Sequence, residues 1–172
     1  MSDSLPNLRT EILNVDSSNW LYPSDGDIHG FDGEGPFMFL SYRPSKNPWT
    51  SADLGRRRLY GTLTRLGLGT CHLSDCIKLR SLVADDKKMP NNLDWHIDIL
   101  HREIKLIHPP ALIVAGRKAH GFVEKHLGDL DTPRVPIIHY SHRFASDEDV
   151  TLDLLGGVLE SLKQLLTRRK PL

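Results

Sequence analysis

His139-Tyr140-Ser141-His142-Arg143 is a run rich in side chains that move protons or hold anions. Three other stretches carry groups of the same kind: Arg43, Ser45, Lys46, Asn47 and Trp49 in one, Asp75, Lys78 and Arg80 in another, and Arg117 alone. Imidazole donates or accepts near neutral pH, arginine, lysine and serine hold phosphate, and tryptophan stacks on flat rings. Brought together, they suit a ligand with phosphates to be clamped, a ring to be stacked, and a leaving group whose growing charge needs a donor. The plain alternatives are that His139 and His142 are ordinary loop histidines and that Trp49 anchors its loop in the core.

Whether these runs meet depends on the elements between them. Ala111-Leu112-Ile113-Val114-Ala115-Gly116-Arg117 is an apolar run stopped by glycine, the pattern of a strand buried on both faces at the centre of a parallel sheet. Phe37 to Ser41, Cys71 to Ile77 and Val135 to Ile138 predict three more strands, Pro136 being tolerable at an edge or a strand start. A short helix is expected near Leu8 to Leu13. Leu59, Leu63 and Leu66 predict another, capped by Asp53 or Ser51. Leu93, Ile97, Leu100, Ile104 and Ile107 form the clearest apolar stripe, stopped by Pro109-Pro110. Arg117 to Leu127 is expected to turn Ala119, Phe122 and Val123 inward, and a final helix carries Leu155, Val158, Leu159, Leu162 and Leu166. Alternation of strand and helix predicts an α/β fold, a three-layer α/β/α sandwich with a central four-stranded parallel sheet. Right-handed crossovers bring all strand carboxyl ends to one side, where such sheets bind ligands.

The 172 residues suit a single globular body, and 39% hydrophobic with 26% charged residues is ordinary for a soluble protein. No apolar run approaches the roughly 20 residues of a membrane span, and Met-Ser-Asp-Ser lacks the basic and apolar parts of a signal peptide. A cytoplasmic protein without a membrane partner is expected. Through Pro36 there is one base, Arg9, against seven acids, and the net charge of zero leaves the remainder six positive. Residues 1–35 read as an acidic arm packing on a basic body, 36–172. A basic body suggests phosphate or nucleic acid, or a merely solvated surface. Cys71 and Cys76 read as buried thiols. The histidines show no ligand spacing, and Asp94, His96 and Asp98 do not share a helical face, so neither metal nor other cofactor is predicted.

Taken in order, His72-Leu73-Ser74-Asp75-Cys76-Ile77-Lys78-Leu79-Arg80, then Leu100-His101-Arg102-Glu103-Ile104, then Ile107-His108-Pro109-Pro110 running into the central strand and Lys118-Ala119, then His139 to Arg143, resemble the uracil-DNA glycosylase superfamily. The resemblance covers roughly residues 36 to 145. It implies a metal-free DNA glycosylase that flips a base from DNA and hydrolyses its N-glycosidic bond. His139 would stabilise the departing base, Asp75 would read the base edge, Trp49 would stack on it, and Tyr42 would join them in binding the base. Ser45, Lys78, Arg117, Ser141, His142 and Arg143 would hold phosphates.

The departures from the family pattern matter. Its first motif supplies a water-orienting residue, and two registers fit. One, favoured because the strand stops at Ser41, sets Arg43 or Tyr42 there, neither a base at neutral pH. The other sets Asn47 there. Asp75 stands where the family has an asparagine, and an ionised carboxylate only accepts, which would favour a base with an extra donor. Asp75 can equally pair with Lys78, Arg80 or Arg43. Tyr140 replaces a proline and would loosen its turn. Branches with iron–sulfur clusters use four cysteines, so two imply no cluster. Three functions follow: a glycosylase of base excision repair, a non-catalytic homologue binding single-stranded or damaged DNA, or a hydrolase of small nucleotides sharing only the fold. The sequence sets no oligomeric state.

Overall fold

The computed structural model describes residues 3–17, 21–45, 49–79, 93–142 and 144–168, the side chains of 165, 167 and 168 excepted. Lys46, Asn47, Arg80 and Arg143, named above as candidates, lie outside the described residues.

The chain runs α1 (Leu5–Val15), a 3-10 turn (Gly30–Asp32), β1 (Met38–Ser41), α2 (Leu54–Arg65), β2 (His72–Asp75), α3 (Leu93–Ile107), β3 (Leu112–Ala115), α4 (Arg117–His126), β4 (Arg134–Ile137) and α5 (Asp147–Arg168). The four strands form one parallel sheet in the order β2-β1-β3-β4. The run Ala111 to Arg117 does supply an interior strand, but a shorter one, because the backbone turns at Gly116 and α4 begins at Arg117. Pro136 is accommodated because β4 is an edge strand.

Alternation along the strands builds both layers. Phe39, Ile113, Ala115 and Ile137 face Leu59 and Leu63 of α2 and Val150, Leu154 and Val158 of α5. Met38, Leu40, Leu112 and Val114 face Leu100 and Ile104 of α3 and Ala119, Phe122 and Val123 of α4. Strands buried on both faces have no polar side to show, which is why they read as unbroken apolar runs. Local signals mark the helix starts. Asp53 caps α2 by accepting the Arg56 N–H at 3.1 Å. Ser146 and Asp149 exchange side-chain and backbone hydrogen bonds at the start of α5.

The acidic arm is part of the packing. Leu8 and Ile12 of α1 meet Phe31, Leu79 and Ile99 in a third apolar cluster. Arg102 of α3 binds Asp3 at 2.9 Å and Glu11 at 2.9 Å. Among the described side chains of α5, Val150, Leu154, Val158 and Ser161 are buried, whereas Leu159, Leu162 and Leu166 are exposed. The leucine stripe noticed in the sequence is therefore largely a second face of the helix. No helix among the described residues is long and apolar enough to cross a membrane.

Lys78 corrects one expectation. Instead of reaching the rim to hold phosphate it is buried, with Nζ donating to Glu103 Oε2 at 2.8 Å and Ser74 Oγ at 2.7 Å. Ser74 donates in turn to Glu103 at 2.7 Å. Burial alone would raise the Glu103 carboxyl, but Lys78 and His72 outweigh it and hold it below its ordinary value. Removing one partner strands the other charge in a dry interior. Glu103→Gln is expected to cost about 3–5 kcal/mol of stability in urea unfolding. Pairing it with Lys78→Met is expected to recover most of that loss.

Candidate functional site

A cleft of about 1230 Å³ opens where β1, β3 and β4 end. The β1–α2 loop brings Tyr42, Arg43, Ser45, Trp49 and Asp53 to it; the start of α4 brings Arg117, Lys118 and His120; the β4–α5 loop brings His139, Tyr140, Ser141 and His142. The parallel sheet thus assembles most of the rim named from the sequence.

Gly116 permits the closest approach. Its backbone lies at φ +87°, ψ 158°, a region open essentially to glycine. A Cβ there would sit 3.2 Å from the His139 Cβ. His139 is thereby tucked against the turn that starts α4.

The imidazole of His139 is held by its own loop. Nδ1 accepts the Ser141 N–H at 3.2 Å and lies 2.7 Å from Ser141 Oγ. A ring nitrogen that accepts a backbone N–H carries no proton, so the neutral ring has its proton on Nε2. Burial above all, with the nearby His142 adding to it, pushes the His139 pKa down to about 4. His139 is therefore an uncharged donor at neutral pH. Its carbonyl accepts the His142 N–H at 2.8 Å, and Arg58 closes the loop by donating to the His142 carbonyl at 3.0 Å and to Asp147 at 2.6 Å.

Tyr140 does not loosen this turn; it fastens it. The buried phenol lies 2.8 Å from Ser41 Oγ and 2.7 Å from the Tyr22 hydroxyl, and its ring lies against His139 with centroids 4.3 Å apart. Tyr22 donates to Asp75 Oδ1 at 3.2 Å. A hydroxyl has one proton to give, so with Asp75 ionised Tyr140 donates to Tyr22 and Ser41 to Tyr140.

Asp75 is accordingly not a reader of the base edge in this structure. It is buried at the end of β2 and absent from the cleft wall, where Tyr22 from the arm stands instead. Burial raises its carboxyl to about 7, against the lowering effects of Lys78 and the Tyr22 hydrogen bond. Trp49 is mainly an anchor. Only 7% exposed, it meets Tyr22, Tyr60 and Tyr140 edge to face and shows the cleft little more than a margin. Tyr42, half-buried and packed against Phe122 with Lys118 Nζ 6.0 Å from its ring centre, is the more accessible aromatic.

Arg43 and Ser45 line the cleft half-buried, and Arg117, Ser141 and His142 line it exposed. Lys118, His120, Asp53, Asp153 and Tyr22 were not anticipated there. Lys118 and Asp53 could have been, because the first turn of a helix following a strand end must lie at that edge. Tyr22 had no such signal, since its arm reads as loops. The two cleft carboxylates both accept backbone N–H groups, Asp53 from Arg56 and Asp153 from Ile138. Among the described residues no group of three or more His, Cys, Asp or Glu could hold a metal ion, and Cys71 and Cys76 are free and buried. No protein-family profile and no curated protein matches this chain.

Two substitutions test this arrangement. Gly116→Ala is expected to lose about 1–3 kcal/mol through backbone strain and to displace His139, seen by NMR titration as an imidazole pKa rising from about 4 toward its ordinary 6.5. Asp75→Asn addresses the buried carboxyl. An unfolded aspartate ionises near 3.8, whereas the folded one keeps its proton to about 7, so the group costs stability as pH rises between those values. The variant is expected to be more stable than wild type at pH 8, by no more than roughly 4 kcal/mol, and to lose that advantage by about pH 4.

Proposed function

We propose that the protein is a DNA N-glycosylase of the uracil-DNA glycosylase type, acting in base excision repair on uracil or another deaminated or damaged base flipped from DNA. The observation that carries this reading is a neutral imidazole at His139, fixed in its tautomer by Ser141, in a cleft lined by Arg43, Arg117 and Lys118. Loosening of the glycosidic bond leaves a cationic sugar and an anionic base. A donor already oriented and partly dry stabilises that anion without having to reorganise. Arg43, Arg117, Ser45, Ser141 and His142 hold the backbone beside the flipped nucleotide. Tyr22 and Tyr42 meet the base itself. The sequence resemblance supports the same reading, with Asn47, or no residue at all, orienting water.

A second reading is a homologue that binds single-stranded or damaged DNA without cleaving it. It is favoured by the commitment of both cleft carboxylates to backbone N–H groups and by the enclosure of Asp75.

Oligonucleotides carrying uracil, hypoxanthine, xanthine or hydroxymethyluracil, treated with protein and then alkali, separate the two. Base release by wild type, reduced about 10²–10³-fold in His139→Ala, is the expected result. Activity should persist through pH 5 and fall as pH drops through about 4, where protonation of Nδ1 breaks its bond from Ser141. Release undiminished in His139→Ala would sink the proposal. Retention without release, falling steeply with salt, would support the binder.

A further inference from the structure

Helix α5 has two apolar faces and the fold uses one. Val150, Leu154, Val158 and Ser161 pack inward. Roughly 125° around the helix, at 100° per residue, Leu152, Leu155, Leu159, Leu162 and Leu166 recur at alternating steps of three and four. Of these, Leu152 is 59% exposed, Leu159 51%, Leu162 38% and Leu166 66%. Five leucines at that spacing form the seam of one helix against another, and a water-facing patch of this kind is uncommon on a monomer.

We infer that this face is the interface of a two-fold dimer, with α5 packed antiparallel against α5 of a second copy. The direction follows from charge. The helix starts Asp147-Glu148-Asp149 and ends at Arg168, after which the sequence continues Arg169-Lys170. Antiparallel pairing sets acidic ends against basic ones and opposes the helix dipoles, whereas parallel pairing sets like against like. The spacing agrees, because Leu159 lies midway between Leu152 and Leu166. An axis through Leu159 brings each chain's Leu152 to Leu166 of the partner subunit, as a self-complementary contact requires.

Two features outside the stripe fit this occupant. Gly156, exposed in mid-helix beside the seam, would meet nothing within 4 Å if given a Cβ, whereas its neighbour Gly157 is pressed against Ile137 and Ile113. Packing against the sheet explains Gly157; close approach of a partner helix explains Gly156. At the start of α5, Ile138, Ala145, Leu152 and the 93%-exposed Phe144 border a groove of about 490 Å³. Antiparallel pairing delivers Leu166 of the partner subunit to that groove.

Sedimentation velocity on the whole chain, from micromolar to hundreds of micromolar, reads the outcome directly. The expected mass is twice the 19.5 kDa of one chain, and Leu159→Glu is expected to raise the dissociation constant at least 100-fold with an unchanged circular dichroism spectrum. Direction is read by mixing Leu152→Cys and Leu166→Cys chains under oxidation, the native cysteines being buried. Disulfide between the two variants, with little within either alone, is expected. A monomer at every concentration, which would mean another segment or another protein covers the face, overturns the inference. So does a dimer indifferent to Leu159→Glu, or crosslinking of Leu152→Cys to itself.

Discussion

Beneath the cleft, four side chains from four parts of the chain are joined by three hydrogen bonds: Ser41 at the end of β1, Tyr140 after β4, Tyr22 of the arm and Asp75 at the end of β2. A parallel sheet aligns its strand ends but leaves the loops beyond them to find their own anchors. Here the anchors are buried hydroxyls, which must bond or pay the desolvation cost of an unmade hydrogen bond. The position of His139 depends on this. It adjoins Tyr140, which cannot swing out without breaking its bonds with Ser41 and Tyr22. The arm is committed by the same bonds, so its acidic residues belong to the body's own architecture.

The two buried acids near β2 show how surroundings decide charge. Glu103 has Lys78 at 2.8 Å, a serine donor and His72, and stays below its ordinary pKa. Asp75, three residues before Lys78, receives the Tyr22 hydroxyl and feels the same ammonium from further away, and burial wins. The lysine satisfies one carboxylate by direct contact, and Asp75 depends on tyrosines. That division separates a structural ion pair under α3 from a titratable carboxyl behind the cleft.

Much of this architecture was legible in the sequence because it rests on period and punctuation. Runs buried on both faces, the stripe from Leu93 to Ile107, Asp53 as a cap and Gly116 as a stop are local signals, and strand order then gathers the loops. The direction of a single side chain is not local. Lys78 follows a strand end and reads as a rim cation, but one turn of backbone after β2 sends it inward, toward a glutamate 25 residues later. Asp75 failed for the same reason, since nothing near it announces that Tyr22, 53 residues earlier, covers it. Tyr140 read as a loosened turn because the hydroxyls that hold it lie on other segments. The leucines of α5 had the right period, but period alone does not say which of two apolar faces meets the sheet.

Exposure divides the cleft's work in a way that suits a large anion. Arg117 and Lys118 stand exposed at the rim, where water and salt screen them, so their attraction for an anion acts early and weakens as ionic strength rises. His139 and Tyr140 lie deeper, where a dipole meets less screening and a charge would be costly. An imidazolium there would repel the rim cations and would lose the Ser141 hydrogen bond at Nδ1. A neutral ring has neither penalty and keeps its Nε2 proton directed by the bond on the opposite nitrogen. Cations at the mouth and an uncharged donor within are thus parts of one arrangement: the first can attract an anion, and the second can answer charge that would develop only inside the cleft.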